Sequence, residues 1–398
     1  MKHSDTPKGP LHGVRVLDLT RILAGPSSTQ LLGDYGADIV KVERPGKGDD
    51  TRAWGPPYVR DADGNDTTES AYYMAANRNK RSIALDMSNP EGADTIRQLA
   101  AKCDIVVENF KTGGLKKYGL DFDSLKAINP SVIYCSITGF GQTGPNAGLA
   151  GYDLMAQGYG GIMSLTGEPD GVPMKVGVGI TDVMCGMYAA TAILAALRHR
   201  DQTGQGQQID IGLVDTQVAW LINEGMNYLA SGEVPKRRGN QHPNIVPYQV
   251  FEVSDGHLIL AVGNDNQFAK FAAAIGHPEL AEDPRYIVNI DRITNRETLI
   301  ETLIPIIQKI DKATLLSTMN AAGVTCGPIN TLDEVFASDQ VAARDMKISM
   351  PHPLSGSGTV DLIGNPVKFS ETPVTYRNAP PVCGADTDEI LNDWLKEV

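Results

Sequence analysis

The chain is short of cysteine, of positive charge and of long apolar runs, and each shortage narrows what it can be. Its five cysteines, Cys103, Cys135, Cys185, Cys326 and Cys383, are odd in number and widely spaced, with no CxxC pair. That spacing suits neither a structural zinc site nor a disulfide framework, and points to reduced, mostly buried thiols in a cytoplasmic protein. Lysine and arginine total 35 against 48 aspartates and glutamates, a net charge of −13. Such a balance argues against nucleic-acid binding. It leaves an anionic small ligand open, because a local basic cluster can oppose the global sign. The prominent uncharged stretch, Val183 to Leu197, is 15 residues long, below the roughly 18 that a membrane span needs. The opening MKHSDTPKGP has no apolar segment and is no Arg-rich amphipathic helix, so neither a signal nor a transit peptide is expected.

What is present is ordinary for a soluble globular protein: 398 residues, 41% hydrophobic and 21% charged, enough for two or three domains. No repeat or low-complexity tract stands out. Leu11 to Leu19 alternates as a strand, Ala24-Gly25-Pro26 turns into a helix over Thr29 to Tyr35, and Ala37 to Glu43 is a second strand. This is a βαβ unit and implies a parallel sheet. Gly46 to Thr68 reads as a loop. Strands follow at Arg81 to Asp86, Ile105 to Glu108, Val132 to Thr138 and Gln208 to Gly212, with helices at Asn89 to Ala101, Phe122 to Ile128 and Leu213 to Ser231. The alternation predicts an α/β, doubly wound domain. Lys236 to Pro247 is polar and Pro-rich, like a domain boundary. A hairpin around Asp255-Gly256 then opens a smaller α+β unit, with helices at Asn266 to Ile275, Thr294 to Ile310 and Thr314 to Ala322. Short strands at Gly358 to Leu362 and Val367 to Phe369 and a terminal helix at Thr387 to Lys396 complete the chain.

Thr181 to Arg200 is the stretch that organises the rest. A helix here is apolar nearly all round and is predicted to be buried, with Arg198, His199 and Arg200 closing it in the sign a C-terminus prefers. Asp182 stands just before the apolar run and carries two compatible readings. It is a good helix N-cap. It is also a carboxylate at the mouth of a buried helix, able to attack an activated carbonyl. Gly139-Phe140-Gly141-Gln142-Thr143-Gly144 matches the dinucleotide-binding GxGxxG, but Pro145-Asn146-Ala147-Gly148 follows in place of a helix, and the match comes late in the sheet. Both failures of context argue against a nicotinamide site.

Taken together, VLDLTRILAGP (Val16 to Pro26), GADIVKVERPGKGDDTR (Gly36 to Arg52), NRNKRSIALDM (Asn77 to Met87), VVENFKTGGLKKYGL (Val106 to Leu120), GFGQTGP (Gly139 to Pro145), GYDLMAQGYGG (Gly151 to Gly161), TDVMCGMYAATAILAAL (Thr181 to Leu197) and TGQGQQIDIGLVDT (Thr203 to Thr216) resemble the class III CoA-transferases of the CaiB/BaiF type. That family includes formyl-CoA and succinyl-CoA-dependent dicarboxylate CoA-transferases. The resemblance covers essentially the whole chain, and thioester racemases share the fold.

The resemblance implies that Asp182 is the catalytic carboxylate, reacting through an aspartyl anhydride and an aspartyl-CoA thioester. Coenzyme A arrives as an acyl-CoA co-substrate, and no permanently bound cofactor or metal is required. By position, Arg44, Asn77, Asn79, Lys80, Asn109, Phe110, Lys117, Tyr152 and Asp153 are the CoA-binding candidates. The fold implied is a Rossmann-like large domain, residues 1–225 and 331–398, with a small α+β domain, residues 226–330, in an interlocked homodimer. Tyr152 occupies the place of a histidine in the racemases, which favours a transferase and makes Tyr152 a further catalytic candidate. Leu23 replaces a glutamine of the formyl-CoA branch, and no tetraglycine loop is found. KRRGNQHPNIVPY instead resembles the branch that uses succinyl-CoA and dicarboxylates. Arg21, Leu23, Arg237, Arg238 and His242 are the matching substrate candidates, since Arg offers a bidentate fork to a carboxylate. An acyl-CoA racemase or epimerase of the same fold, and a non-catalytic CoA-binding protein, are the alternatives. A small carboxylic acid is the expected partner, and neither nucleic acid nor membrane is.

Overall fold

A computed structural model describes residues 9–396. The chain divides into two compact units. The first comprises residues through Ile162, Lys175–Leu221 and Asp339 onward; the second comprises Met163–Met174 and Ile222–Ser338. Residues 163–174, read from sequence as part of the large domain, thus belong with the second unit.

The first unit is built on six parallel strands: β1 (Arg15–Asp18), β2 (Asp38–Glu43), β3 (Lys80–Ala84), β4 (Ile105–Glu108), β5 (Ile133–Thr138) and β6 (Gln208–Gly212). Their order is β3-β2-β1-β4-β5-β6, the doubly wound arrangement whose direction reverses between β1 and β4. The central strands are apolar on both faces because both are covered. Alternation sends Val16, Ile39, Ile105 and Ile133 to one side, and Leu17, Val40, Val106 and Tyr134 to the other. The first side packs on helices α1 (Ala24–Asp34) and, after α2 (Pro90–Ala100) and α3 (Asp153–Tyr159) on the chain, α4 (Ile180–Thr203). The second packs on Ile96 and Leu99 of α2 and on Ile390 and Trp394 of the C-terminal helix Thr387–Trp394.

Two of these helices differ from the sequence reading. The 24-residue α4 is capped by Gly179, and Asp182 lies inside its first turn rather than at the cap. It meets α1 so closely at Gly186 that a Cβ there would stand 2.7 Å from the Ala24 carbonyl oxygen. Its opposite face is not buried as expected: Val183, Met187, Tyr188 and Leu194 are exposed, Met187 by 50%. By length and composition α4 could cross a membrane, with half of that stretch buried inside the protein. The single helix predicted over Leu213 to Ser231 is broken into α5 (Leu213–Ala219), in the first unit, and Ile222–Ser231, in the second. The break falls at Ile222, which has a positive φ of 42°.

Smaller differences follow from pairing the sequence does not display. The Gly46 to Thr68 loop contains an antiparallel pair, Tyr58–Arg60 with Asp66–Ser70. Thr359–Ile363 pairs with Lys347–Pro351, whereas Val367 to Phe369 forms no strand. The GxGxxG segment opens no helix. The Gln142 N–H donates to the Asp210 carboxylate at 2.9 Å, so an anion already sits on the loop.

The second unit holds three antiparallel strands, Tyr248–Val253, Gly256–Ala261 and Thr325–Pro328. Helices of this unit include Asp265–Ala274, Asn289–Thr294, Arg296–Ile307 and Lys312–Ala322. Its own core gathers Phe251, Leu260, Phe268, Phe271, Leu303 and Met319.

Candidate active site

In a doubly wound sheet, ligands bind beyond the carboxyl ends of the strands where the order reverses. Here those ends are Leu19–Leu23 after β1 and Asn109–Lys111 after β4, and two adjoining cavities open there. Arg21, Asp50, Phe110 and Lys111 line both.

The larger cavity, about 560 Å³, brings Arg21, Lys41, Arg44, Lys111 and Lys117 around the faces of Leu85, Met87, Phe110 and Tyr118. Cations beside flat apolar surface suit a ligand with phosphates and a planar base. Arg44, Phe110 and Lys117 were selected by sequence. Leu85–Ser88, Lys111 and Tyr118 were not, although Leu85–Ser88 directly follows β3, the position where a strand end meets ligand in this fold.

The smaller cavity, about 370 Å³, is lined by Ile22, Leu23 and Ala24, by Gly139 and Tyr152, and by Asp182. Asp182 is 8% exposed. Burial, and then the charge of Asp153, push its carboxyl up from 3.8 to about 7. The amino end of α4 acts in the opposite sense, favouring the ionised form. The capping role that sequence offered to Asp182 falls to Asp153. Its Oδ1 accepts the Thr181 N–H at 2.8 Å and the Asp182 N–H at 3.3 Å, and its Oδ2 accepts from Gln157 Nε2 at 2.6 Å. The Thr181 hydroxyl donates to Gln217 at 2.7 Å. Asp153, a CoA-binding candidate by sequence, is therefore held by protein donors and fixes the start of α4. Tyr152 stands just ahead of α3, 65% exposed. Tyr72, carried by no motif, lies close enough that burial, then the charges of Asp182 and Asp153, raise its phenol.

Three expected CoA ligands lie inside the protein instead. Lys80 begins β3 and points into the sheet. Its Nζ pairs with Asp18 at 3.1 Å and donates to the Pro26 carbonyl and to Asn77 Oδ1, each at 3.0 Å. Asn77 donates to the Tyr73 carbonyl at 2.9 Å. Asn79, at φ 58°, donates to Asp34 and to the Thr375 carbonyl, both at 2.8 Å, and accepts the Arg377 N–H at 2.7 Å. All three are at most 2% exposed. The NRNK motif reads as basic and polar; only the register of β3 shows that its side chains tie strand, helix and C-terminal segment together. Burial would raise Asp18, but Lys80 and Lys41 outweigh it and hold it at about 2. At Lys80, burial and the like charge of Lys41 outweigh Asp18 and Asp49 and lower it to about 8.

Asn109 lines the smaller cavity and also braces the turn after β1. Its Oδ1 accepts the Arg21 N–H at 2.9 Å and its Nδ2 donates to the Arg21 carbonyl at 2.6 Å. The next residue, Ile22, has φ 73°, a left-handed conformation that costs a β-branched residue on the order of 1–3 kcal/mol. Arg21 pairs with Asp50 at 2.6 Å, lies 5.4 Å from the Phe110 ring centre, and has a buried Nε without a partner among the described residues. In the second unit, Arg238 pairs with Glu224 at 3.4 Å, Arg237 donates to the Glu168 and Gly171 carbonyls, and His242 accepts the Asn244 N–H at 3.1 Å. Among the described residues no group of three or more His, Cys, Asp or Glu converges as metal donors.

The model of CoA-transferase family III matches residues 11–387. A succinate–glutarate CoA-transferase from Agrobacterium fabrum is 48% identical over 385 residues, covering 96% of this chain and 95% of that protein. The succinyl-CoA:glutarate CoA-transferase of Homo sapiens is 43% identical over 387 residues, covering 97% and 86%. A crystal structure of a CaiB/BaiF family protein from Brucella suis matches with a TM-score of 0.85 at 48% identity, covering 98% of this chain and 100% of that one. With a buried carboxylate beside a basic cleft at the switch point, and a match of this extent, the chain belongs to CoA-transferase family III and is a CoA-transferase.

Proposed function

We propose that this enzyme moves CoA from succinyl-CoA to a second dicarboxylic acid such as glutarate, with Asp182 as the covalent carrier. The observation that supports it most is the placement of Asp182, a buried carboxylate in a small chamber continuous with a cleft of cationic side chains. The substrates named for the relatives above set the dicarboxylate class.

In the proposed sequence, an Asp182 oxygen attacks the thioester carbonyl and the CoA thiolate leaves, giving an acyl-aspartyl anhydride. The thiolate then attacks the aspartyl carbonyl and the donor acid departs as its carboxylate, leaving an aspartyl-CoA thioester. The acceptor carboxylate attacks the aspartyl carbonyl of that thioester and expels the CoA thiolate, giving a second anhydride. The thiolate then attacks the acceptor's acyl carbonyl, forming the new acyl-CoA and freeing the Asp182 carboxylate. Each step exchanges activated acyl species of similar energy, so neither ATP nor metal is needed. Arg44, Lys111 and Lys117 hold the CoA phosphates, and backbone N–H groups around the small chamber stabilise the oxyanions. The unpartnered Nε of Arg21 fits the far carboxylate of a dicarboxylate, in the geometry for which guanidinium is suited.

The test is mass spectrometry after incubation with succinyl-CoA and borohydride or hydroxylamine trapping. A label confined to the peptide that contains Asp182 is the expected result. Absence of label across a panel of acyl-CoAs, with exchange of the α-proton into deuterated water, would turn the assignment to a racemase.

The proposal extends to an interlocked homodimer, supported by the exposed apolar side chains Val183, Met187 and Leu194 along α4. Analytical ultracentrifugation at micromolar concentration is expected to give a dimer, and Met187→Glu is expected to shift it toward monomer. A stable wild-type monomer removes this part. A cytoplasmic location is proposed on the five free thiols.

A further inference from the structure

We infer that Asn109 is a positioning residue for acyl transfer: it holds a left-handed turn at Ile22 and so fixes the Leu23–Ala24 wall of the chamber that contains Asp182. The inference rests on the reading of Asp182 as the acyl carrier.

Asn109 lines the cavity that holds Asp182, and each polar atom of its side chain has one bond to the main chain. Its carbonyl oxygen and its amide nitrogen both engage the main chain of Arg21, one accepting and one donating. It thus imitates a neighbouring strand for a residue that has left the sheet. Ile22 follows at φ 73°. A conformation of that kind persists in a β-branched residue only where its flanks are over-determined, and here they are. The Ile22 N–H donates to Asp49, and the Asp49 carboxylate pairs with Lys41 at 2.9 Å. The Lys41 ammonium also donates to the Thr20 carbonyl at 2.8 Å. Three successive residues are therefore anchored through their backbone, with Asn109 supplying both bonds to the middle one.

The turn places Leu23 and Ala24 at the amino end of α1, and both line the cavity with Asp182. The first N–H groups of a helix have no partner within it, so this wall presents donors to whatever forms on the Asp182 carboxyl. Leu23 also bears on the start of α4: a Cβ on Gly179 would stand 3.1 Å from its Cδ2. If the turn relaxes toward the ordinary φ of isoleucine, Leu23 swings away from both. The loss then falls on the rate of acyl transfer rather than on CoA affinity.

Asn109→Ala is expected to bind CoA within about twofold of wild type by calorimetry, because the cationic cleft is untouched. It is expected to form the trapped Asp182 adduct at saturating acyl-CoA at least tenfold more slowly. Backbone amides of residues 21–24 are expected to exchange with deuterium faster. Adding Ile22→Gly, which adopts a positive φ without strain, is expected to restore part of the rate in the Asn109→Ala background. A tenfold loss of CoA affinity with an unchanged adduct rate would overturn the inference, as would unchanged exchange at residues 21–24. If wild-type protein gives no adduct at all, the acyl-carrier reading fails on its own account, and the exchange experiment still decides whether Asn109 holds the turn.

Discussion

Asp182→Ala is expected to lower the rate of acyl transfer by three orders of magnitude or more, roughly what loss of an attacking group costs a covalent enzyme, while CoA still binds. Asp153 is not placed to take over, since its oxygens are already engaged by the start of α4 and by Gln157. An active Asp182→Ala variant, measured by CoA exchange between labelled pools, would end the covalent assignment. The same residue sets a pH dependence. Its carboxyl lies at about 7 against an ordinary 3.8, so the attacking anion increases as pH rises through about 7, and kcat/KM should show that ascending limb. Stability moves the other way. Between about pH 4 and 7 the folded chain keeps a proton that the unfolded chain releases. The contribution of Asp182 is fully present below 3.8 and is lost as pH rises through about 7. The neutral Asp182→Asn variant escapes that loss, at most about 4 kcal/mol and less where the amino end of α4 compensates. It should be inactive and, at pH 8, more resistant to urea than wild type, with the difference closing toward pH 4.

The second large effect separates a structural lysine from a ligand-binding one. Lys80→Met removes an ammonium that is fully buried against Asp18, and leaving a buried charge short of its partner costs about 3–5 kcal/mol. Lys41 still faces Asp18, which places the expected loss near 3 kcal/mol by urea unfolding. Neutralising both members, in Asp18→Asn with Lys80→Met, should recover much of it. Lys117→Ala changes a cleft residue with no buried partner, so its stability should stay within about 0.5 kcal/mol while CoA affinity falls about tenfold, the scale of one charge-assisted contact. Should Lys80→Met unfold like wild type and lose CoA, Lys80 belongs in the cleft after all.

These pairs show how far residue types carry. β4 lies where the sequence put it because a strand covered on both faces leaves a continuous apolar run, and the edge strand β6 because Ile209 and Ile211 alternate with polar Gln208 and Asp210. Helix α2 was legible from its Asn89 cap and the proline behind it. The sequence expected no helix after GxGxxG, and none is there. Asp182 stood out because a lone carboxylate precedes a long uncharged stretch.

The break at Ile222 left no local trace, since the apolar pattern runs unbroken from Leu213 to Ser231 while the chain crosses from one compact unit to the other. NRNK announces charge, but which way a side chain points depends on where β3 begins, and that is fixed by pairing with β2. Asp153 caps a helix that starts some thirty residues later, and Asn109 clamps a turn far earlier in the chain. Sequence therefore determined the class of the fold and the order of most elements, and it singled out Asp182 as the candidate carboxylate, all of which rest on periodicity and short-range chemistry. The tertiary structure alone decided which polar residues face the cleft and which hold it in shape, because hydrogen bonds between distant segments depend on burial and register that no local window contains.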